Sequence, residues 1–332
     1  MIPRRNEPHR SQPLMNIARN AIDLQAFHDV SRNVDFQSAV VALLDEFRRG
    51  AIADRDRTHE AHAIATHLRS LTDAWDAVFP KFPDCSWKRR TIRWEYHRGR
   101  RDAYLKQLVI SLVLDHAADR RLIVNPATVF GRHARELAKA LPGFDVLGTD
   151  IDATWNRLYQ IARFWRYHNV TNYRFARENI FAADVRRRPL ATCFWGACGP
   201  VTDGIMDYAI AADSPFLICR SCCHDNIGGN TRIVHRPGLL NALFAWKNAF
   251  YLQTQEKQTG YYFCARYTEN AYPRSRVARE LMDTRTIIAV AQNSVDSDIC
   301  RSLIDLDRCL YLREHGYDVL YREELFVAHK TS

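Results

Sequence analysis

From residue 121 onward, short apolar runs recur at 122–124, 144–149, 173–176, 191–197 and 216–221. The chain between them repeats its apolar residues at helical spacing, at 132–141, 154–167, 203–212, 236–258 and 301–315. In the second of these stretches Trp155, Leu158, Ala162 and Trp165 share one face. A strand that carries no polar alternation needs cover on both faces, and helices supply it. The alternation therefore predicts an α/β fold with a mostly parallel sheet. The last two runs differ. Tyr317–Tyr321 and Leu325–His329 lie only a few residues apart. A parallel crossover needs a dozen residues or more, so this pair is expected to be an antiparallel hairpin.

Upstream, residues 17 to about 110 read as helices. Asp35 is placed to cap a helix in which Phe36, Val40, Leu44 and Phe47 share a face and which Gly50 stops. Ile64, Leu68, Leu71, Trp75 and Val78 mark a second helix, and Leu105, Leu108, Val109 and Leu112 a third. The expected organisation is a disordered tail at 1–16, a helical N-terminal domain at 17–104 and an α/β domain at 105–332. The aromatic-rich stretch within about 232–292 reads as an insertion in the last of these. The 332 residues hold no apolar run long enough to span a membrane. The first 16 residues lack the apolar centre of a signal peptide. Nine cysteines, mostly in apolar contexts, fit reduced thiols and a cytoplasmic protein.

The turn after the first strand, Asn125-Pro126-Ala127-Thr128-Val129-Phe130-Gly131, stands where open parallel sheets bind ligands. Gly131 opens the next helix, where a missing side chain lets backbone approach a ligand. Asp150 ends the second strand 19 residues later, a position suited to a carboxylate that accepts ribose hydroxyls. The same two residues also read as an ordinary turn and a helix cap.

Phe130–Ala138 followed by Val146–Asp152 resembles the first two motifs of class I S-adenosylmethionine-dependent methyltransferases. Trp195-Gly196-Ala197-Cys198-Gly199-Pro200-Val201-Thr202-Asp203 and Cys222-Cys223-His224 resemble segments of one branch, which includes tRNA 2′-O-methyltransferases and methyltransferase-like proteins. Leu312–Val319 is similar to that branch's final helix and strand. The resemblance covers roughly 105–330. It implies a Rossmann-like class I methyltransferase sheet closed by the antiparallel hairpin. It also implies S-adenosylmethionine as cofactor, held around Asn125, Gly131, Asp150, Ile151, Asn179 and Cys198. The family's first motif begins with an acid and then Gly-x-Gly, whereas this chain has Asn125, Pro126, Ala127 and Val129. Asn125 hydrogen-bonds but supplies no carboxylate, and Asn179 stands where an acid is frequent.

Methyl transfer needs a positioned acceptor and, for a hydroxyl acceptor, a base. Asp203 and His224, at the ends of the fourth and fifth strands, are the candidate catalytic groups. A helix cap and a backbone-bonded loop histidine are their alternative roles. Cys219, Cys222, Cys223 and His224 have metal-like spacing, but no second close cysteine pair accompanies them, and no metal is expected.

The net charge of +9 favours an anionic partner. Residues 81–106 carry nine Lys/Arg against three acids, a net of +6. Lys88, Arg89, Arg90, Arg93, Arg98, Arg100 and Arg101 alternate there with Trp87, Trp94, Tyr96, His97 and Tyr104. Cations for phosphate and rings for bases are what RNA binding requires, so RNA, possibly tRNA, is the expected partner. The alternative is a non-catalytic RNA-binding or interaction protein on a degenerate methyltransferase fold. A nicotinamide-dependent oxidoreductase is disfavoured, because the chain lacks Gly-x-Gly-x-x-Gly and its last two strands read as antiparallel.

Overall fold

The computed structural model describes residues 21–50, 58–81, 93–117, 119–180, 185–198, 200–222, 274–281 and 297–331. The expected tail at 1–16, the helix expected at 236–258, most of the insertion, and Lys88, Arg89, Arg90 and His224 lie outside the described residues.

The seven apolar runs are seven strands: β1 Leu122–Asn125, β2 Asp145–Asp150, β3 Tyr173–Arg177, β4 Ala191–Cys198, β5 Phe216–Cys222, β6 Tyr317–Arg322 and β7 Leu325–Lys330. They form one sheet in the order β3-β2-β1-β4-β5-β7-β6. The first five are parallel. β7 runs antiparallel between β5 and β6, so the expected hairpin closes the sheet. This is the Rossmann-like sheet that the sequence resemblance implies.

Connections between parallel strands are right-handed. Strand order runs outward from β1 in both directions, so the helices after β1 and β2 cover one face and the helix after β4 covers the other. The first face carries α5 (Arg132–Ala140) and α6 (Thr154–Ala162), and the second carries α8 (Pro200–Ala211). α4 (Arg93–His116) packs beside α5, on the first face. The chain expected as one helix at 154–167 breaks at Arg163 (φ −122°, ψ 23°), and a short α7 follows at Phe164–Tyr167. The break splits the apolar face. Trp155 is buried, but Leu158 is 45% exposed and Trp165 84%.

The N-terminal helices, α1 (Leu24–Asn33), α2 (Phe36–Gly50) and α3 (Thr58–Val78), form where capping and periodicity place them. Asp23 accepts the N–H groups of Gln25 (2.8 Å) and Ala26 (3.3 Å), and Asp35 accepts that of Ser38 (2.9 Å). Phe27, Phe36, Val40, Leu44 and Trp75 are buried in a core that is continuous with Val319 and Leu320 of β6. Ser31 ties α1 to the edge strand by exchanging hydrogen bonds with Val319, accepting its N–H at 2.8 Å and donating to its carbonyl at 3.2 Å. The expected boundary between 104 and 105 falls inside α4, whose Tyr104, Leu105, Leu108 and Leu112 are all buried.

Two further helices are described: α9 (Arg276–Leu281), within the expected insertion, and α10 (Ser297–Glu314), which precedes β6. The turn from β6 to β7 is two residues long, Glu323 (φ 45°) and Glu324 (φ 70°). Such turns need left-handed backbone at both positions and favour Asn-Gly. Here the conformation is held from outside: Arg101 donates to the Glu323 carboxylate (2.5 Å), and the Ser221 N–H donates to the Glu324 carbonyl (2.9 Å).

His329 of β7 sits on the Phe216 ring (centroids 4.5 Å apart) and shares a 2.9 Å hydrogen bond with His28, which contacts Asp318 at 2.5 Å. Burial, then the neighbouring His28 and His116, push the His329 pKa down to about 4, against the opposing pull of Asp318. Between that value and the ordinary one of about 6.5 the unfolded chain binds more protons, so this histidine's contribution to stability is lost as pH falls through that window. Asp307, raised by burial to about 6, acts with the opposite sign. The readout is therefore a difference: the melting-temperature gap between wild type and His329→Gln should shrink as pH falls from about 6.5 to about 4. A gap that does not change with pH would mean that His329 is not held neutral.

Candidate active site

The carboxyl ends of β1, β2, β4 and β5 open on the same edge of the sheet, and the helices that follow β1 and β4 leave on opposite faces. A crevice forms at such a point. The loop 126–131 enters it from β1. Asn125 is buried, 3% exposed, and both ends of its amide are engaged. Its Nδ2 donates to the Cys193 carbonyl across on β4 (2.6 Å), and its Oδ1 accepts from the Thr128 hydroxyl (2.7 Å). It stitches β1, β4 and the loop together.

Asp150, 4% exposed, accepts the Val129 N–H at Oδ2 (2.8 Å) and the Asp152 N–H at Oδ1 (3.2 Å). One carboxylate thus joins the loops after β1 and β2. Next to it the Ile151 carbonyl accepts from Arg177 Nε (2.9 Å), and the Glu178 N–H returns to the Asp150 carbonyl (2.9 Å). Asn179 is exposed just past β3.

The loop backbone is left-handed at alternate residues: Ala127 (φ 49°), Val129 (φ 51°) and Gly131 (φ 67°). These are the positions at which the first motif of the family that the sequence resembles carries glycines. Alanine and a β-branched valine adopt this conformation at a cost. Gly131 is needed for a different reason than the sequence suggested. A Cβ on it would lie 2.3 Å from Asn156 Nδ2, 2.4 Å from the Tyr173 hydroxyl and 2.5 Å from an Arg135 nitrogen. Its N–H already donates to the Thr128 carbonyl (2.9 Å). The space beside Gly131 is therefore filled by the protein's own side chains.

Those side chains form a buried bridge between α5, α6 and β3. Arg135 donates to the Phe130 carbonyl (2.8 Å) and to Asn156 Oδ1 (2.8 Å), Asn156 donates to the Tyr173 hydroxyl (2.6 Å), and the Arg135 guanidinium lies 4.4 Å from the centre of the Tyr173 ring. Burial lowers the Arg135 pKa. Sequence reading missed this trio. Its one local signal is an arginine on the apolar face of α5, between Ala134 and Leu137. Taken together, the donor set fits the ribose end of an S-adenosylmethionine-like ligand through Asp150, and offers nothing charged at Asn125 for its amino-acid end.

At the other end of the crevice, Cys198 and Cys222 stand opposite each other at the ends of β4 and β5. Asp203, in the first turn of α8, is 6% exposed and accepts from Arg308 Nε at 2.8 Å. Arg308 also donates to Asp305 (2.9 Å), which accepts from Ser221 (2.9 Å) and Tyr321 (3.2 Å). Arg274 lies 3.6 Å from Asp203 and pairs with Asp207 at 2.5 Å. Asp203 is thus built into a buried charge network that locks α8 to α10. Its arginine is 105 residues away in sequence, and only the Asp305 and Arg308 pair on one helix face hints at it. Cys193, Cys219 and Cys309 are free and buried, and burial pushes all three thiols up. Among the described residues no cluster of three or more His, Cys, Asp or Glu is placed to hold a metal, and Cys223 and His224 lie outside them.

The expected RNA-binding cluster is divided. Arg93 and Arg98 lie on the first turns of α4, where only the backbone is described, and Arg100 is half-buried. Arg101 is 1% exposed and committed to Glu323, so it is withdrawn from the phosphate-binding set. Tyr104 is also core: its hydroxyl donates to the Pro80 carbonyl (2.7 Å) and accepts from Trp75 Nε1 (3.2 Å). Both were misread because a helix that packs against a sheet buries a stripe that local charge density does not reveal.

No protein-family model matches this sequence, and no curated protein matches it significantly. Among solved structures, the chain is similar to the antibiotic-resistance methyltransferase Kmr (13% identity, 68% of this chain and 93% of that one, TM-score 0.35). It is also similar to an O-methyltransferase family protein from Burkholderia thailandensis (12% identity, 72% of this chain and 61% of that one, TM-score 0.34). A third is the 16S rRNA (adenine(1408)-N(1))-methyltransferase from Catenulisporales acidiphilia, solved with its cosubstrate SAM (14% identity, 70% of this chain and 90% of that one, TM-score 0.31).

The left-handed alanine gives a direct test of the loop. A left-handed non-glycine costs about 1–2 kcal/mol, and the extra freedom of glycine in the unfolded chain offsets about 0.4–1 of that. Ala127→Gly should therefore stabilise the protein by up to about 1.6 kcal/mol in denaturant unfolding. Destabilisation instead would show that the loop does not hold this backbone in solution.

Proposed function

We propose that this chain is an S-adenosylmethionine-dependent methyltransferase acting on RNA. The observation that carries the reading is Asp150. It sits at the tip of β2, beside the crevice of a sheet in the order β3-β2-β1-β4-β5-β7-β6, and braces a loop whose backbone is left-handed at 127, 129 and 131. The sequence resemblance over 130–138 and 146–152 supports the same assignment. In this reading Asp150 accepts the ribose hydroxyls, Ile151 and Asn179 stand at the ends of β2 and β3 on the adenine side, and Cys198 ends the neighbouring strand.

The cofactor supplies an already activated methyl group on a sulfonium, so the protein's task is to position the acceptor. Asp203 and His224, following β4 and β5, are the proposed orienting groups. Asp203 Oδ1 receives Arg308, which leaves His224 as the group to take a proton. Lys88, Arg89, Arg90, Arg93, Arg98 and Arg100 are proposed to meet phosphates.

The second reading, a non-catalytic RNA-binding protein on this fold, is favoured by two features: the fully engaged Asn125 amide, and a valine side chain at a position for which left-handed backbone calls for glycine. Calorimetry with S-adenosylmethionine separates the two. On the enzyme reading the wild type binds, and Asp150→Ala weakens binding by about 1–3 kcal/mol, the cost of leaving hydroxyls without their partner. Absence of binding at millimolar ligand selects the second reading.

RNA is tested separately. Reversing Arg89, Arg90 and Arg93 to Glu should lower affinity and flatten its dependence on salt, because each lost phosphate contact removes about one released counterion from the slope. An unchanged slope would reduce the cluster to a solvated face.

A further inference from the structure

We infer that the surface formed by α6, α7 and the edge strand β3 is a second binding face for single-stranded RNA. The inference rests on RNA being the partner proposed above, and extends that contact to a part of the chain the basic cluster does not include. From Ala153 to Arg177 the sequence has five arginines and no aspartate or glutamate. All five, Arg157, Arg163, Arg166, Arg174 and Arg177, are exposed. Among the described residues Arg157 and Arg163 form no ion pair, and Arg174 meets Asp145 only at the surface, 3.2 Å away.

The same face carries rings that a soluble surface does not ordinarily show. Residues 160–166 are all exposed, and within them Ile161 is 74%, Phe164 53% and Trp165 84% accessible. The rings support one another. Phe164 and Trp165 meet edge to face at 5.3 Å, and His168 lies 6.0 Å from Phe164 and 6.2 Å from Trp165. The His168 ring is fixed by a hydrogen bond to the Trp165 carbonyl (3.1 Å). Exposed cations around a preset aromatic platform match what a single strand offers, phosphates outside and bases free to stack. A duplex keeps its bases stacked and has no use for the rings.

Two observations choose this occupant. A second copy of the chain would set five arginines against five, which opposes self-association through this face. The face is also continuous with the basic helix α4. Glu136 of α5 lies 3.8 Å from Lys106 of α4 and accepts from both Arg166 (2.6 Å) and Tyr167 (2.6 Å), so α4, α5 and α7 form one surface on the same side of the sheet. A strand held along α4 therefore has a charged path to Trp165.

The test is fluorescence anisotropy of the full chain, without cofactor, with a labelled single-stranded RNA and with a duplex of the same sequence. Trp165→Ala and Arg157→Glu/Arg163→Glu alter exposed side chains, and melting curves check that both variants fold. Trp165→Ala should weaken single-strand binding about tenfold and leave duplex binding little changed, since one base–aromatic stack is lost. The double reversal should lower the salt slope by about two. If both variants bind single strands like wild type while the Arg89/Arg90/Arg93 reversal abolishes binding, the RNA reading stands and this face is excluded from it. If Trp165→Ala instead changes sedimentation and not RNA affinity, the patch is a protein interface and the inference is overturned.

Discussion

The fold's candidate site depends on one buried carboxylate. Asp150 ends a parallel strand and would be costly to bury without donors. Backbone N–H groups from two loops donate to it, Val129 on one side and Asp152 on the other. That arrangement fixes where the chain goes after β1 and after β2, and so fixes the shape of the crevice. The left-handed residues 127, 129 and 131 follow from it. A loop that must present the Val129 N–H to Asp150 and the Gly131 N–H to Thr128 has little other backbone available.

The sheet was legible in the sequence because strands buried on both faces cannot hide their composition. All seven runs became strands within a residue or two, and the short spacing between the last two required the hairpin. Helix α2 was legible for a similar reason: Asp35, the spacing of Phe36, Val40 and Leu44, and Gly50 are all local signals. What failed to show was non-local. Gly131 reads as a ligand-facing glycine until Asn156 and Tyr173, 25 and 42 residues away, fill the space beside it. Asp203 reads as a candidate base until Arg308 reaches it. Arg101 reads as a phosphate binder until Glu323, 222 residues on, buries it.

The error at 154–167 runs the other way. Its periodicity is that of a packed helix, yet Leu158 is exposed within α6, and past the break at Arg163 Phe164 and Trp165 are exposed while Tyr167 is buried. Apolar spacing records that residues share a face and says nothing of what covers it. At the ends of β4 and β5, the candidate groups are anchored through α10, so the acceptor end of the crevice is set by residues far beyond the motifs that drew attention to it.

The strand order has a consequence for how the chain assembles. β7 follows β6 in sequence but lies between β5 and β6 in the sheet. Until β7 forms, β5 is a bare edge, with Phe216 waiting for His329, 113 residues later. The N-terminal helices wait as well, since among the described strands the one against which Ser31 docks pairs with β7 alone. Closure therefore joins the two most distant described parts of the chain. Such topologies fold slowly, and they leave an apolar edge open to other chains while they do.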